Sequence, residues 1–250
     1  TIQVGETIYR DDAQLNIDQM MEEMYATTTA SKSACPSPDD YMKSFEGADN
    51  IIVVTITGTL SGSYNSAEIA KKIYLEEHPN ANIHVIDSLS AGGEVDLLIR
   101  KLNHLVAEGL DFDQVLDAIT AYRAKTKLLF VLAKVDNLVK NGRLSKLVGT
   151  VVGLLNIRMV GEASKTGTLE LLQKARGQKK AIKAAFDELI KAGYTGGHIT
   201  IAHRNNDKFI EQFSALIREK FAQASIEVLP TSGLCSFYAE EGGLLMGYEI

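Results

Sequence analysis

The sequence predicts an α/β protein of two lobes. A parallel-sheet α/β/α lobe is expected over residues 1–125 and a mixed-sheet α/β lobe over residues 126–250, with a ligand between them. Three observations carry this expectation. In the first half, β-branched apolar runs alternate with amphipathic helical segments, the pattern of a parallel sheet covered by helices. After Lys125 the order changes, and two short strands flank the hairpin signal Ser164-Lys-Thr-Gly167. Hydroxyl-rich loops follow the first-half strands, and parallel strands converge at the edge where such loops gather.

Taken in order, strands are expected at 2–4, 51–57 and 82–86, with helices at 16–24, 37–45, 63–78, 92–108 and 112–124. The Ser37-Pro-Asp-Asp40 stretch opens its helix well: a serine cap, a proline in the first turn, and Asp39 and Asp40 against the positive dipole end. The helix at 112–124 has an Asp-x-Asp opening. Beyond it come a strand at 128–132, a short helix at 135–140 stopped by Asn141-Gly142, and a helix at 144–155. The hairpin strands follow at 158–163 and 168–173. A basic amphipathic helix at 178–191, a strand at 198–202, a helix at 207–222 and strands at 226–230 and 243–248 complete the pattern. The chain opens on Thr1 with what reads as a strand entered mid-fold, so an upstream strand is expected to be missing.

Composition narrows the function. A net charge of −6 argues against nucleic acid as the main partner. No apolar stretch reaches the roughly 20 residues that span a bilayer. The two cysteines, Cys35 and Cys235, have no metal-ligand spacing and form no disulfide framework, so a reducing cytoplasm is the expected location.

The segment Gly58-Thr-Leu-Ser-Gly-Ser63 joins an apolar strand to a helix. Free N–H groups and the dipole at such a helix start, joined by the hydroxyls of Thr59, Ser61 and Ser63, make a neutral cradle for an anion. Ordinary helix capping uses the same residue types, and both readings stand on the residues alone. A phosphate loop with its lysine is absent, and Gly58-Thr-Leu-Ser-Gly62 is not the Gly-x-Ser-x-Gly of a nucleophile elbow. Two more hydroxyl-rich loops, at 27–41 and 87–93, read either as ordinary capped loops or, in a parallel sheet, as reaching the same edge.

Five segments in order, "SACPSPDDY", "TGTLSGSYNSA", "VIDSLSAGG", "NGRLSKLVGTVVGLLNIRMV" and "LELLQKARGQKKAI", resemble the successive signatures of the DegV family over nearly the whole chain. The most specific are Leu-Ser-Gly-Ser-Tyr-Asn-Ser-Ala and Gly-Arg-Leu-Ser-Lys. The resemblance implies a protein that binds a long-chain fatty acid between two α/β lobes. It also implies that the carboxylate is presented to a separate ATP-dependent kinase subunit, which makes an acyl phosphate for phospholipid synthesis. The family begins with a strand and an Asp-Ser loop that this sequence lacks.

Carried over by residue, the resemblance puts the carboxylate on Ser33 and Ser61, with the Gly62 N–H and Arg143 beside it. Ser63 and Tyr238 are head-group neighbours. Many relatives have Thr-Ser-Gln-Pro-Ser where this chain has Ser33-Ala-Cys-Pro-Ser37, so one hydroxyl is kept and the Gln is Cys35. Many also have His-Thr-Gly-Pro-Gly where this chain has Tyr238-Ala-Glu-Glu-Gly-Gly243, so no catalytic histidine is assigned. The basic group Lys174, Arg176, Lys179, Lys180 and Lys183 reads either as a solvated helix face or, by the resemblance, as a docking surface for the kinase subunit. The stretch 144–157 is apolar nearly all round and serves equally as a core helix or as lining for an acyl tail.

The expected activity is therefore binding without catalysis, with no cofactor or metal beyond the bound acid. Two rivals remain at this point. One is a serine hydrolase of lipid esters with Ser61 as nucleophile and His203 or His84 as base. The other is a regulator that binds a phosphate or phosphosugar. His203-Arg204 taken alone reads as a strand-end surface pair.

Overall fold

The computed structural model describes residues 1–145 and 156–250. The helix expected at 144–155 falls almost entirely on the interval between them, outside the described residues.

The chain opens with a hairpin of β1 (Ile2–Val4) and β2 (Thr7–Tyr9), turned at Gly5 with φ 56°, a backbone angle glycine adopts freely. Helix α1 (Ile17–Ala26) follows. Its Asn16 cap accepts the Gln19 N–H at 3.1 Å, and Met20, Met21 and Met24 pack on Ile2 and Val4. β3 (Lys32–Ser33) then joins the other edge of β1, antiparallel, with Ser33 opposite Ile2. The strand at 2–4 therefore stands in a small antiparallel sheet and not in the parallel one. The reason is local: a two-residue turn returns only an antiparallel partner, whereas a parallel crossover needs a dozen or more residues.

Among the described residues, the parallel sheet consists of β4 (Asn50–Thr55) and β5 (Asn82–Asp87). Between β3 and β4 lies α2 (Pro38–Phe45), with the expected capping box between Ser37 and Asp40. The crossover between β4 and β5 is α3 (Ser63–Glu77); its Ala70 and Tyr74 meet Phe45 and Ile83. α4 (Gly93–Ala107) and α5 (Phe112–Arg123) follow, the latter closed at its start by an Asp111–Gln114 capping box.

The second half holds one six-stranded sheet. Its strands are β6 (Thr126–Leu132), β7 (Ile157–Ala163), β8 (Leu169–Arg176), β9 (His198–His203), β10 (Ser225–Pro230) and β11 (Leu244–Glu249), in the order β10-β9-β11-β6-β7-β8. β10 and β9 run parallel and the other neighbours antiparallel, so the sheet is mixed, as expected. The 164–167 turn closes the β7–β8 hairpin, the Ser164 N–H bonding the Thr168 carbonyl at 2.8 Å. The helices are α6 (Asp136–Lys140), α7 (Gln178–Lys191), α8 (Asp207–Lys220) and α9 (Gly233–Ala239). No element is expected between 230 and 243, so α9 is an addition. Its seven residues include Gly, Cys and Ser, which carry little helix propensity.

Strand alternation assigns the sheet's two faces. Leu129 and Val131 of β6, with Leu244 and Met246 of β11, share a core with Phe209 and Phe213 of α8 and Leu189 of α7. Leu128, Phe130 and Leu132, with Leu245, turn the other way and form a second cluster with Leu138, Met159 and Ala239. That face carries the cavity described below.

The two halves meet along α4. Glu94, in its first turn, is 5 % exposed and accepts the Thr126 hydroxyl at 2.8 Å. Burial pushes its carboxyl above the ordinary 4.5, against the opposing hydrogen bonds from Ser90 and Thr126. The folded state therefore holds this proton to higher pH than the unfolded chain does. Its contribution to stability is full below about 4.5 and is lost as pH rises through the folded value. Glu94→Gln keeps an acceptor for Thr126 and has no such proton. The parent-minus-variant difference in thermal midpoint is expected to fall as pH rises from 4.5 toward 7. A flat difference over that range refutes the assignment.

Candidate functional site

A cavity of about 930 Å³ opens between the halves, within the range of small-molecule sites. One end is polar. Ser33, at the end of β3, shares a hydrogen bond of 2.8 Å with the Tyr238 hydroxyl on α9, across 205 residues of sequence. Ser61 and Ser63 stand 3.0 Å apart, oxygen to oxygen, and the Ser61 hydroxyl accepts the Ser63 N–H at 3.2 Å. The Arg143 guanidinium lies 5.4 Å from the centre of the Tyr238 ring, in cation–π range. It donates to the Leu60 carbonyl at 3.1 Å and to the Asn141 carbonyl at 2.8 Å. Ser33, Ser61, Gly62, Ser63, Arg143 and Tyr238 all line the cavity, so residues from four separate segments meet at one end.

Local structure explains how they are brought there. Gly62 caps α3 with φ −72°, an ordinary angle; its lack of a side chain serves close approach, since a Cβ would stand 3.1 Å from the Cys35 sulfur. Gly58 is likewise about space: its N–H bonds both carboxylate oxygens of Asp87 at the end of β5, and a Cβ would lie 2.9 Å from one of them. Neither glycine has a positive φ, so space, not backbone freedom, is what each position requires. Thr59 also departs from the expected cradle. Its hydroxyl donates to the Gly167 carbonyl at 2.8 Å, tying the loop to the β7–β8 turn.

Helix α6 joins the polar end together. The buried Glu240 carboxylate accepts the Asn137 N–H at 3.1 Å at the start of the helix, an anion against the positive dipole end. The Asn137 amide donates to the Phe237 carbonyl on α9 at 2.9 Å. At the other end, the Asn141 amide donates to the Ser31 carbonyl at 3.1 Å, just before Ser33. Asn141-Gly142 reads in the sequence as a helix stop only. Its tether to the Ser33 strand joins positions 110 residues apart, and no local pattern carries that. Glu240, Asn137 and Tyr41 were missed for the same reason. Tyr41 of α2 lines the cavity, and burial pushes its phenol up.

The rest of the cavity combines apolar walls with the charged residues Arg10, Asp11, Asp40 and Lys43. Leu132 and Phe130 of β6, Leu138 of α6, Leu169 of β8 and Leu245 of β11 supply its walls. The arrangement can orient one anionic head and bury a long hydrocarbon behind it. Its chemistry does not favour nucleophilic attack by Ser61. His84 lies on β5 and His203 ends β9, and no histidine lines the cavity among the described residues. His203 is engaged elsewhere, its Nδ1 accepting the Asn206 N–H at 3.2 Å. Among the described residues no group of three or more His, Cys, Asp or Glu is placed to hold a metal ion. No described helix is long and apolar enough to cross a membrane.

The basic group stands apart from the cavity. Lys174 and Arg176 on β8, an edge strand, and Lys179, Lys180 and Lys183 on α7 are all exposed. Lys183 pairs with Asp187 one turn on.

Comparison with known proteins finds relatives over the full length of the chain. The model of the DegV family matches residues 1–248. A DegV domain-containing protein of Streptococcus gordonii is 76 % identical over 250 residues, covering 100 % of this chain and 89 % of that protein. A Streptococcus pneumoniae structure described as the Fatty Acid Kinase (Fak) B3 protein loaded with linoleic acid is 74 % identical. It superposes with a TM-score of 0.98 over 100 % of this chain and 89 % of its own. A DegV family protein of Eubacterium eligens loaded with heptadecanoic acid is 38 % identical, with a TM-score of 0.96 over 99 % of this chain and 90 % of its own.

Proposed function

The chain belongs to the DegV family, and on that footing we propose that it binds a long-chain fatty acid and presents its carboxylate to a separate ATP-dependent kinase subunit. The observation that carries the reading is the pairing of a hydroxyl-and-arginine end with a wall of large apolar side chains in one cavity. Ser33, Ser61 and Arg143 meet at the mouth while Phe130, Leu132 and Leu245 line the interior. The relatives of known structure loaded with linoleic and heptadecanoic acids support it.

In this reading the hydroxyls of Ser33 and Ser61, the Gly62 N–H and the Arg143 guanidinium hold the carboxylate. Charge-assisted hydrogen bonds of this kind are the strong ones. Ser63 and Tyr238 fix the two serines from behind. The tail supplies most of the affinity, at roughly 0.8 kcal/mol for each methylene removed from water. The chain itself supplies no phosphoryl chemistry; the partner does. Lys174, Arg176, Lys179 and Lys180 form the surface on which that partner docks, the exposed cations facing an acidic patch. We place the exchange in the cytoplasm, where the free thiols of Cys35 and Cys235 stay reduced.

The test is native mass spectrometry of the purified protein, followed by organic extraction of whatever is bound. A stoichiometric C14–C18 acid is expected. A protein that is empty, and remains empty after incubation with oleate and palmitate, overturns the reading. Ester turnover abolished by Ser61→Ala would instead establish a hydrolase.

A further inference from the structure

The cavity has an end, and the strand alternation locates it. Leu132, Phe130 and Leu128 lie on the same face of β6, two residues apart, which is about 7 Å per step. Leu132 and Phe130 line the cavity, whereas Leu128, the next residue along the same face, does not. Because β6 leads through α6 to Arg143, Leu132 is the residue nearer the head-group and Phe130 the deeper one. Phe130 is 1 % exposed.

The ring has a particular seat. Across the ladder, Phe130 faces Gly161 of β7. A Cβ on residue 161 would stand 2.5 Å from the Phe130 Cζ and 2.7 Å from its Cε2. The ring therefore lies over the glycine and occupies the space a side chain would need, an aromatic covering a cross-strand glycine. A register shift between Val160 and Gly161 marks the same point of the strand.

We propose that the Phe130 ring, seated on Gly161, is the end stop of the acyl cavity and sets the longest chain the protein accepts. This rests on the fatty-acid reading above and adds the residue pair that selects among acids. Any side chain at 161 drives the ring toward the ligand and shortens the space; removal of the ring lengthens it. Gly161 thus acts on selectivity without lining the cavity itself.

The experiment is a competition series of saturated acids from C12 to C20, read by native mass spectrometry on the parent, Phe130→Leu and Gly161→Ala. Each methylene gained or lost from the cavity is worth about fourfold in affinity. Phe130→Leu is expected to move the preferred length upward, with C18 and C20 gaining about fourfold per methylene admitted relative to C12. Gly161→Ala is expected to move it downward by the same factor, with C12 unchanged. A Cβ at 161 also stands 2.3 Å from the Glu170 carbonyl oxygen, so this variant is accepted only if it folds by circular dichroism; Phe130→Leu decides the matter without it. A Phe130→Leu length profile parallel to the parent's overturns the end stop while leaving the carrier reading in place. A parent that binds no acid of the series overturns both.

Discussion

Arg143→Gln is expected to weaken binding of palmitate or oleate by about 10- to 100-fold, while binding of the corresponding fatty alcohol changes by less than about threefold. The figure follows from a hydrogen bond to a charged group contributing ~1.5–3 kcal/mol, at about 1.4 kcal/mol per decade of affinity. Arg143 is the cation among the cradle residues, and its position is fixed on three sides: the Leu60 carbonyl, the Asn141 carbonyl and the Tyr238 ring. A half-buried guanidinium held in this way meets a carboxylate with little reorganisation. The alcohol shares the tail and lacks the charge, so the ratio of the two affinities isolates the head-group contribution. Arg143→Lys keeps the charge and loses the planar fork, and is expected to fall between parent and Gln. Calorimetric titration of both ligands on all three proteins is the measurement. An unchanged acid-to-alcohol ratio in Arg143→Gln removes Arg143 from the carboxylate site.

How much of this was legible in the sequence differs between elements, for physical reasons. Capping boxes are local, and those opening α2 and α5 stand where Ser37 and Asp111 announce them. The β7–β8 hairpin was also readable, because the signal sits within the turn itself. The strand at 2–4 was assigned correctly and its sheet was not, since periodicity reports burial and says nothing of which strand lies alongside. The head-group residues came from motif likeness, and all six line one cavity. What the sequence concealed is the framing of that cavity. Asn141 to Ser31, Glu240 to Asn137 and Ser33 to Tyr238 are hydrogen bonds across 100 residues or more. Each partner viewed alone is an ordinary Asn, Ser, Glu or Tyr. The end stop was hidden for the same reason: Phe130 reads as one more core aromatic until the glycine opposite it is known.

Gly247→Ala is expected to lower stability strongly. Gly247 sits in β11, which is paired on both sides, to β6 and to β9. A Cβ there would lie 2.3 Å from both the Cα and the backbone nitrogen of Glu94, at the start of α4. The reverse contact is equally close: a Cβ on Gly93 would lie 2.2 Å from the Thr200 carbonyl oxygen of β9. Helix and sheet thus touch backbone to backbone, where no side chain can rotate away. Overpacking costs about 1–3 kcal/mol when side chains can adjust, and here relief requires α4 to move off the sheet or β11 to leave its ladder. At about 2–4 °C per kcal/mol for a chain of this size, a fall in thermal midpoint of roughly 10 °C is expected. Gly109→Ala is the control: it has φ +80° and nothing within 4 Å of a Cβ, so it carries only the backbone penalty of about 1–2 kcal/mol. If the two variants melt together, the seam is not packed as tightly as the geometry requires. If Gly247→Ala melts far lower and also loses long-chain acids, the same contact that joins the halves also sets the cavity between them. Ala91, two residues before α4, lines that cavity, so any retreat of the helix start carries the wall with it.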